Sequence, residues 1–369
     1  MRNRDDSAKT RANRIMIHCK RTNMPYSQLS STGRFIWLLM IPLATCGCLT
    51  TEQLPEQASI MERTEKDSDR DYYLYVPSTY SKKRSWPLVI ACHGTRPYDK
   101  AYAQIREWAH FAEYNHIIVA APQLVSSRGD FPPPPDKQIA LQKKDERAIL
   151  GIVEEIKRRY RIEESQVFLT GWSAGAFPLL YTGLNNPNVF RAMFVRQGTF
   201  DAEFLPFAEN ELNPWQVTKV TYGASDFLRD QSIEMIDWLQ ARNMFVQRQE
   251  LPGGHRRIDP DQTWRFFSEV IRERPWIRIS LRAPDLSNPR LVQYHLDAVP
   301  PAVKQKWFFG DGESSYEASG QHIYPAPGEY EVTVNVALQG GKTYARNTTL
   351  RVFGTGRPNN AASTAKGGS

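Results

Sequence analysis

Between residues 71 and 274, short runs of β-forming residues alternate with longer helical stretches, and after Pro275 that alternation stops. The runs "YYLYVP" (72–77), "PLVIAC" (87–92), "HIIVAAP" (116–122), "QVFLTG" (166–171), "RAMFVR" (191–196), "VTKVTYG" (217–223) and "MFVQRQEL" (244–251) predict strands. Residues 98–114, 140–160, 174–184, 230–243 and 259–274 predict helices. Several of the strands are apolar on both faces and need cover on both sides. The pattern therefore predicts mostly parallel βαβ units, with helices flanking the sheet and right-handed crossovers. Past residue 275, five period-two runs follow one another with turn signals and no helix, which predicts a small all-β sandwich. The expected organisation is an α/β domain over 71–275 and a sandwich over 276–353. A leader takes up 1–48, a polar linker 49–70, and a Gly/Ser/Ala/Asn-rich tail, expected to be disordered, 354–369.

The net charge of +7 suggests a nucleic-acid partner until it is located. Eight Lys and Arg side chains against only Asp5 and Asp6 fall in residues 1–34, so all but one unit of that charge sits in the leader. The folded part is nearly neutral, which argues against a nucleic-acid partner. The basic stretch runs into "RFIWLLMIPLATCGCLT", an apolar segment too short to cross a bilayer comfortably and followed by small residues. That is the layout of a secretory signal, and the chain is expected to be exported. "LATC" is similar to a bacterial lipobox, which makes Cys46 a candidate for lipidation and membrane anchoring. Thr45 departs from the usual small residue there, and Cys48, after Gly47, is the second candidate. The plain alternative is a signal peptide with incidental cysteines, and Met24 is an alternative start. Cys92 is the one cysteine of the body, so no internal disulfide is expected. No CxxC pair and no HExxH motif points to a metal.

The chemistry-bearing stretch is "VFLTGWSAGAFPLL" (167–180), where Gly171-Trp172-Ser173-Ala174-Gly175 falls between a predicted strand and a predicted helix. A serine hydroxyl is a weak nucleophile at neutral pH and needs a base that is itself oriented by a third group. On a sharp strand-to-helix turn Ser173 would be presented above the sheet, with Gly171 and Gly175 permitting close backbone approach. The Ala174 amide, at the helix start, then points to where an oxyanion develops. A second donor is expected from the loop after "PLVIAC", namely the Thr95 backbone N–H, with His93 as a turn residue. His93 as the general base is the competing assignment. The acid is expected after Ser173 at a strand end, where "YGASD" offers Asp226. Asp230 is its rival, although it opens the next helix and has a plain capping role there. The base is expected last, and His255 in "LPGGH" stands after the final strand and before the final helix of the domain. The proline run in "SSRGDFPPPPDK" (126–137), Phe131 and Trp172 are candidates for pocket walls, and a surface crossover is the plain alternative for the prolines.

With "LYVPSTYSKKRSWPLVIACHG", "GWSAG", "YGASD" and "LPGGH", residues 71–272 resemble an α/β-hydrolase of the group holding polyhydroxybutyrate depolymerases and feruloyl or acetylxylan esterases. The resemblance implies ester hydrolysis by a Ser-His-Asp triad without metal or cofactor. It carries over to Ser173, His255 and Asp226, with Thr95 and Ala174 as oxyanion donors. "GGHRRIDPD" lacks the Trp-Pro pair of many such esterases, so specificity for polymers does not transfer. Further on, Trp307, Phe309, Gly310, Asp311, Gly312, His322, Tyr324, Gly328, Tyr330 and Val332 form a pattern that resembles a PKD domain. These residues read as turn and core chemistry, and whether the module is a spacer or contacts polysaccharide or protein stays open. The expected partner is thus an ester substrate, polymeric esters included. Two rivals stand beside this reading. One is a serine peptidase of the prolyl oligopeptidase kind, since a triad does not specify ester over amide. The other is a non-catalytic surface protein in which the PKD-like module does the work.

Overall fold

The computed structural model describes residues 59–127, 133–207, 212–285 and 287–354. The candidate lipidation sites Cys46 and Cys48, the candidate wall residue Phe131 and residues 355–369 of the tail lie outside the described residues. Eight strands make the first sheet: β1 (Ile60–Glu65), β2 (Arg70–Tyr75), β3 (Trp86–Cys92), β4 (Ile118–Pro122), β5 (Ile162–Trp172), β6 (Ala192–Arg196), β7 (Val217–Gly223) and β8 (Val246–Leu251). Their order in space is β1-β2-β4-β3-β5-β6-β7-β8. From β4 to β8 each neighbouring pair is parallel, while β1–β2 and β2–β4 are antiparallel. The crossovers carry α1 (Ala101–Asn115), α2 (Pro135–Arg159), α3 (Ala176–Asn185), α4 (Arg229–Ala241) and α5 (Pro260–Glu273).

The central strand β3 shows why helices lie on both faces. Its side chains alternate, so Leu88, Ile90 and Cys92 join one core with Ile149 of α2, Leu179 of α3 and Met235 of α4. Val89 and Ala91 point the other way, into a core with Ile105 and Trp108 of α1 and Phe266 and Phe267 of α5. A mixed sheet in this order with helices on both faces is the α/β-hydrolase fold.

Residues 60–65 correct the sequence reading, which assigned all of 49–70 to a linker. They form β1, paired with β2 along its whole length. An edge strand has a single strand neighbour, so exposed Glu62 and half-buried Arg63 are tolerated where a central strand would reject them. Buried Glu65 ends the strand by accepting hydrogen bonds from the backbone N–H groups of Asp67 and Ser68. Helix α2 starts at Pro135, earlier than its apolar pattern suggested, because proline fits the first helical position where no N–H is needed.

The β-sandwich follows with β9 (Trp276–Arg282), β10 (Leu291–Val299), β11 (Ala302–Phe308), β12 (Ser314–Ser315), β13 (Ser319–Ile323), β14 (Gly328–Leu338) and β15 (Thr343–Val352). One sheet runs β13-β10-β9 and the other β12-β11-β14-β15, with antiparallel pairing throughout. Trp307, Tyr294, Tyr324, Val332 and Val334 fill the space between them. The two regions touch where the Trp215 indole N–H donates to the Ala345 carbonyl at 2.9 Å and Asn188 Nδ2 donates to the Ile279 carbonyl at 2.9 Å.

Candidate active site

The carboxyl end of a parallel sheet is where loops from successive strands converge, and the candidate residues all lie there. Strand β5 ends at Trp172, a 3-10 turn covers Ser173–Gly175, and α3 begins at Ala176. Ser173 has φ +54°, a left-handed conformation that costs an L-residue energy and turns the chain sharply. Glycine is needed on both sides of it. A Cβ at Gly171 would lie 2.6 Å from the Gly175 carbonyl oxygen, and one at Gly175 would lie 2.7 Å from that of His93. The turn thus packs on itself and against the loop after β3. From the opposite side, a Cβ on Gly94 would lie 3.2 Å from Ser173 Cβ and 2.9 Å from the Trp172 ring. The structure therefore brings Gly94, the residue before Thr95, together with Ser173 and Trp172. Ala174 is buried in a small cluster with Phe177 and Phe204. Its N–H belongs to the first turn of the helical segment, which has no intrahelical acceptor.

At the same end of the sheet, the loops after β7 and β8 form a second unit. Ala224 N–H donates to the Leu251 carbonyl and Ser225 N–H to that of Gly253, so the Pro252-Gly253-Gly254 turn lies against residues 223–226. Gly223 allows this approach, since a Cβ there would be 2.5 Å from the Gly253 oxygen. His255 Nδ1 consequently sits 3.1 Å from both carboxylate oxygens of Asp226. Asp226 Oδ1 also accepts the Leu228 N–H at 2.9 Å, which fixes the carboxylate. The imidazole lies between the Trp172 ring, stacked at 5.0 Å, and the Phe227 ring at 4.8 Å. His255 Nε2 is buried and has no hydrogen-bond partner among the described residues. A carboxylate on Nδ1 selects the tautomer in which Nε2 is an acceptor, ready to take a proton.

The rival assignments occupy different surroundings. Asp230 has a side chain 96% exposed and pairs with Arg229 at 3.6 Å rather than reaching His255. His93 is fully buried with both nitrogens engaged: Nδ1 meets the Gly94 carbonyl at 2.7 Å, and Nε2 accepts the Leu124 N–H at 3.0 Å. Burial holds its imidazole below the usual value, which keeps it neutral.

Three further residues at this end of the sheet were not singled out from the sequence. Asp99 accepts the Gly94 N–H on Oδ2 at 2.7 Å and pairs with Arg257 through Oδ1. Arg257 also pairs with Glu107 at 3.0 Å and lies over the Trp172 ring at 4.8 Å. Burial works against its charge, but Asp99 and Glu107 outweigh that and hold it above the usual arginine value. The third residue is Gln197, whose side-chain amide bonds to Gly254 and Arg256. Each follows the carboxyl end of a parallel strand (β3, β8 and β6), and that placement is the signal that could have found them. Among the described residues, no group of three or more His, Cys, Asp or Glu side chains could hold a metal ion.

Residues 296–352 match the family model of the PKD domain. Over 59 residues the chain is 37% identical to polycystin-1 of Homo sapiens, a stretch covering 15% of this chain and 1% of that protein. Similar solved structures include a ferulic acid esterase from Anaeromyces mucronatus, 15% identical over 54% of this chain and 84% of that one, with a TM-score of 0.44. An acetyl xylan esterase from Aspergillus awamori is 18% identical over 57% of this chain and 99% of its own, at a TM-score of 0.43. The S-formylglutathione hydrolase of Staphylococcus aureus is 13% identical over 58% and 98%, at 0.42. The chain thus carries a C-terminal PKD domain, with β9 and the first part of β10 lying ahead of the matched residues.

Proposed function

We propose that the α/β domain is a serine hydrolase acting on carboxylic esters, with Ser173 as nucleophile, His255 as base and Asp226 as the group that orients it. The observation that carries this reading is the buried, unpartnered Nε2 of His255, whose other nitrogen is held by Asp226 beside the left-handed turn at Ser173. Ser173 Oγ attacks the ester carbonyl while Nε2 takes its proton. The resulting oxyanion is held by the backbone N–H groups of Ala174 and Thr95. Collapse breaks the bond to the alcohol, which leaves with the proton from His255. Water then repeats the sequence on the acyl-enzyme, with His255 again as base. Nε2 and Ser173 Oγ are not hydrogen-bonded in the free protein, and such bonds commonly close only with substrate in place. As part of the same reading, the enzyme is exported, either secreted or held at the membrane through a lipid on Cys46 or Cys48.

Ser173→Ala is expected to lower kcat on p-nitrophenyl acetate by several orders of magnitude, on the order of 10⁴–10⁶-fold. Normal turnover by that variant would sink the reading. Hydrolysis of dipeptide anilides with none of aryl esters would move it to a peptidase. Profiling on acetylated xylan, feruloylated sugars and short polyhydroxyalkanoates then identifies the acyl and alcohol parts.

A further inference from the structure

We propose that Gln197 is the positioning residue for His255, gripping the main chain on either side of it. The inference rests on His255 being the base. Gln197 follows β6, neither of its neighbours in the Ser-His-Asp set is on its own loop, and its side chain is fully buried. Its Nε2 donates to the Gly254 carbonyl at 3.2 Å, and its Oε1 accepts the Arg256 N–H at 2.5 Å. One amide therefore brackets the histidine, fixing the peptide group before it and the one after.

The loop requires such an outside hold. Two consecutive glycines, Gly253 with φ +91°, precede His255 and leave the chain free to take many conformations. Asp226 fixes the imidazole through Nδ1, the Ser225 N–H holds the Gly253 carbonyl and the Trp172 indole N–H holds the Arg256 carbonyl, but none of these reaches the two peptide groups that flank His255. Gln197 itself is held rigidly. It sits at φ +50°, a strained conformation for a residue with a side chain, and its backbone N–H donates to the Thr221 carbonyl of β7 at 2.9 Å. The strain directs the amide across β7 to the loop after β8.

The chemistry also selects glutamine. The position must donate to a carbonyl and accept from an N–H at once, which a carboxamide does and an ionised carboxylate does not. Methionine has the length but neither bond.

The test compares the full chain with Gln197→Met, Gln197→Glu and Ser173→Ala, measuring kcat, KM, the rate of fluorophosphonate labelling at Ser173, and thermal unfolding. Gln197→Met is expected to lower kcat by roughly 10–100-fold, since small misplacement of a catalytic group costs that much. KM should stay within about twofold and labelling should slow by the same factor as kcat, because substrate contacts are untouched. Gln197→Glu keeps the acceptor and regains the donor only when protonated, so its activity relative to wild type should rise as the pH is lowered. A side chain that merely stabilises the fold would lower the unfolding temperature without this pH-dependent recovery. Should Gln197→Met not fold, the pH profile of Gln197→Glu decides alone. The proposal is overturned by a folded Gln197→Met with wild-type kcat and labelling rate, or by a Gln197→Glu to wild-type ratio that does not change with pH. Either result, alongside an inactive Ser173→Ala, leaves the serine-hydrolase reading standing; an active Ser173→Ala removes both.

Discussion

Asp226 with His255 in the α/β domain and Asp311 with His322 in the sandwich are both buried or nearly buried carboxylate–imidazole pairs flanked by aromatic rings. In the sandwich, Asp311 Oδ2 meets His322 Nε2 at 2.7 Å, Phe309 stacks on the ring at 4.0 Å, and Tyr324 meets it edge-on at 4.6 Å. The remaining nitrogen, Nδ1, lies 3.7 Å from Glu313. Asp311 is itself set in a turn between Gly310 and Gly312, both at positive φ, and a Cβ on Gly310 would lie 2.7 Å from the Glu331 carbonyl oxygen. That pair ties the turn, which packs on β14 at Gly310, to His322 of β13. In the α/β domain the second nitrogen is buried without a partner among the described residues, and the neighbouring ring, Trp172, belongs to the residue before Ser173. The two pairs share composition and packing, and they differ in what the second nitrogen meets. A histidine–aspartate contact is therefore no sign of catalysis until that nitrogen has been followed.

The largest contrast should come from removing charge at each aspartate. Asp226→Asn is expected to lower kcat on the order of 10³–10⁴-fold, by stabilising the wrong tautomer of His255 while the fold persists. Asp311→Asn should leave kcat unchanged and cost about 1–3 kcal/mol of sandwich stability through a lost charge-assisted bond. Steady-state kinetics and denaturant unfolding on both variants check this. A loss of activity with Asp311→Asn, or none with Asp226→Asn, would break the distinction.

Acid sharpens the same contrast. Burial acts to raise the Asp311 carboxyl, but the Glu313 N–H and His322 outweigh it and hold the group below its ordinary value of 3.8. A carboxyl depressed in the folded state stabilises fully above its unfolded value and loses that contribution as the pH falls through the folded one. Sandwich stability should therefore decline below about pH 4 in the wild type, with a flatter profile in Asp311→Asn. Unfolding followed at pH 7 and pH 3 reads this directly; parallel profiles would show that Asp311 does not hold the turn.

The α/β framework was legible because its strands are buried on both faces. "VTKVTYG" coincides with β7, and "PLVIAC" differs from β3 by one residue. The sandwich was legible from period two. The edge strand β1 was not, because a strand with one neighbour needs no apolar run, and "IMERTE" reads as linker. At the site, chain order and glycine spacing proposed Ser173, Asp226 and His255 as candidates, and the structure pairs Asp226 with His255 and shows the contacts that bar a Cβ at Gly171 and Gly175. Residues whose role is to tie one loop to another could not be named from sequence. Asp99 meets Arg257, and Gln197 meets Gly254, across long separations in sequence that only the order of β3, β6 and β8 in the sheet brings close.

The smallest effect should come from Phe227, and it tests what holds His255. Phe227 is 75% exposed, yet its ring lies 4.8 Å from the imidazole, on the residue next to Asp226. Such an aromatic contact is worth about 0.5–1.5 kcal/mol, so Phe227→Ala should change kcat by roughly two- to tenfold. The Asp226 bond and the Leu228 N–H that fixes it do not depend on that ring. A loss near that of Asp226→Asn would mean that packing, rather than the carboxylate, sets the imidazole. His255 would then be held as His322 is by Phe309, and the unpartnered Nε2 would owe its place to the aromatic walls.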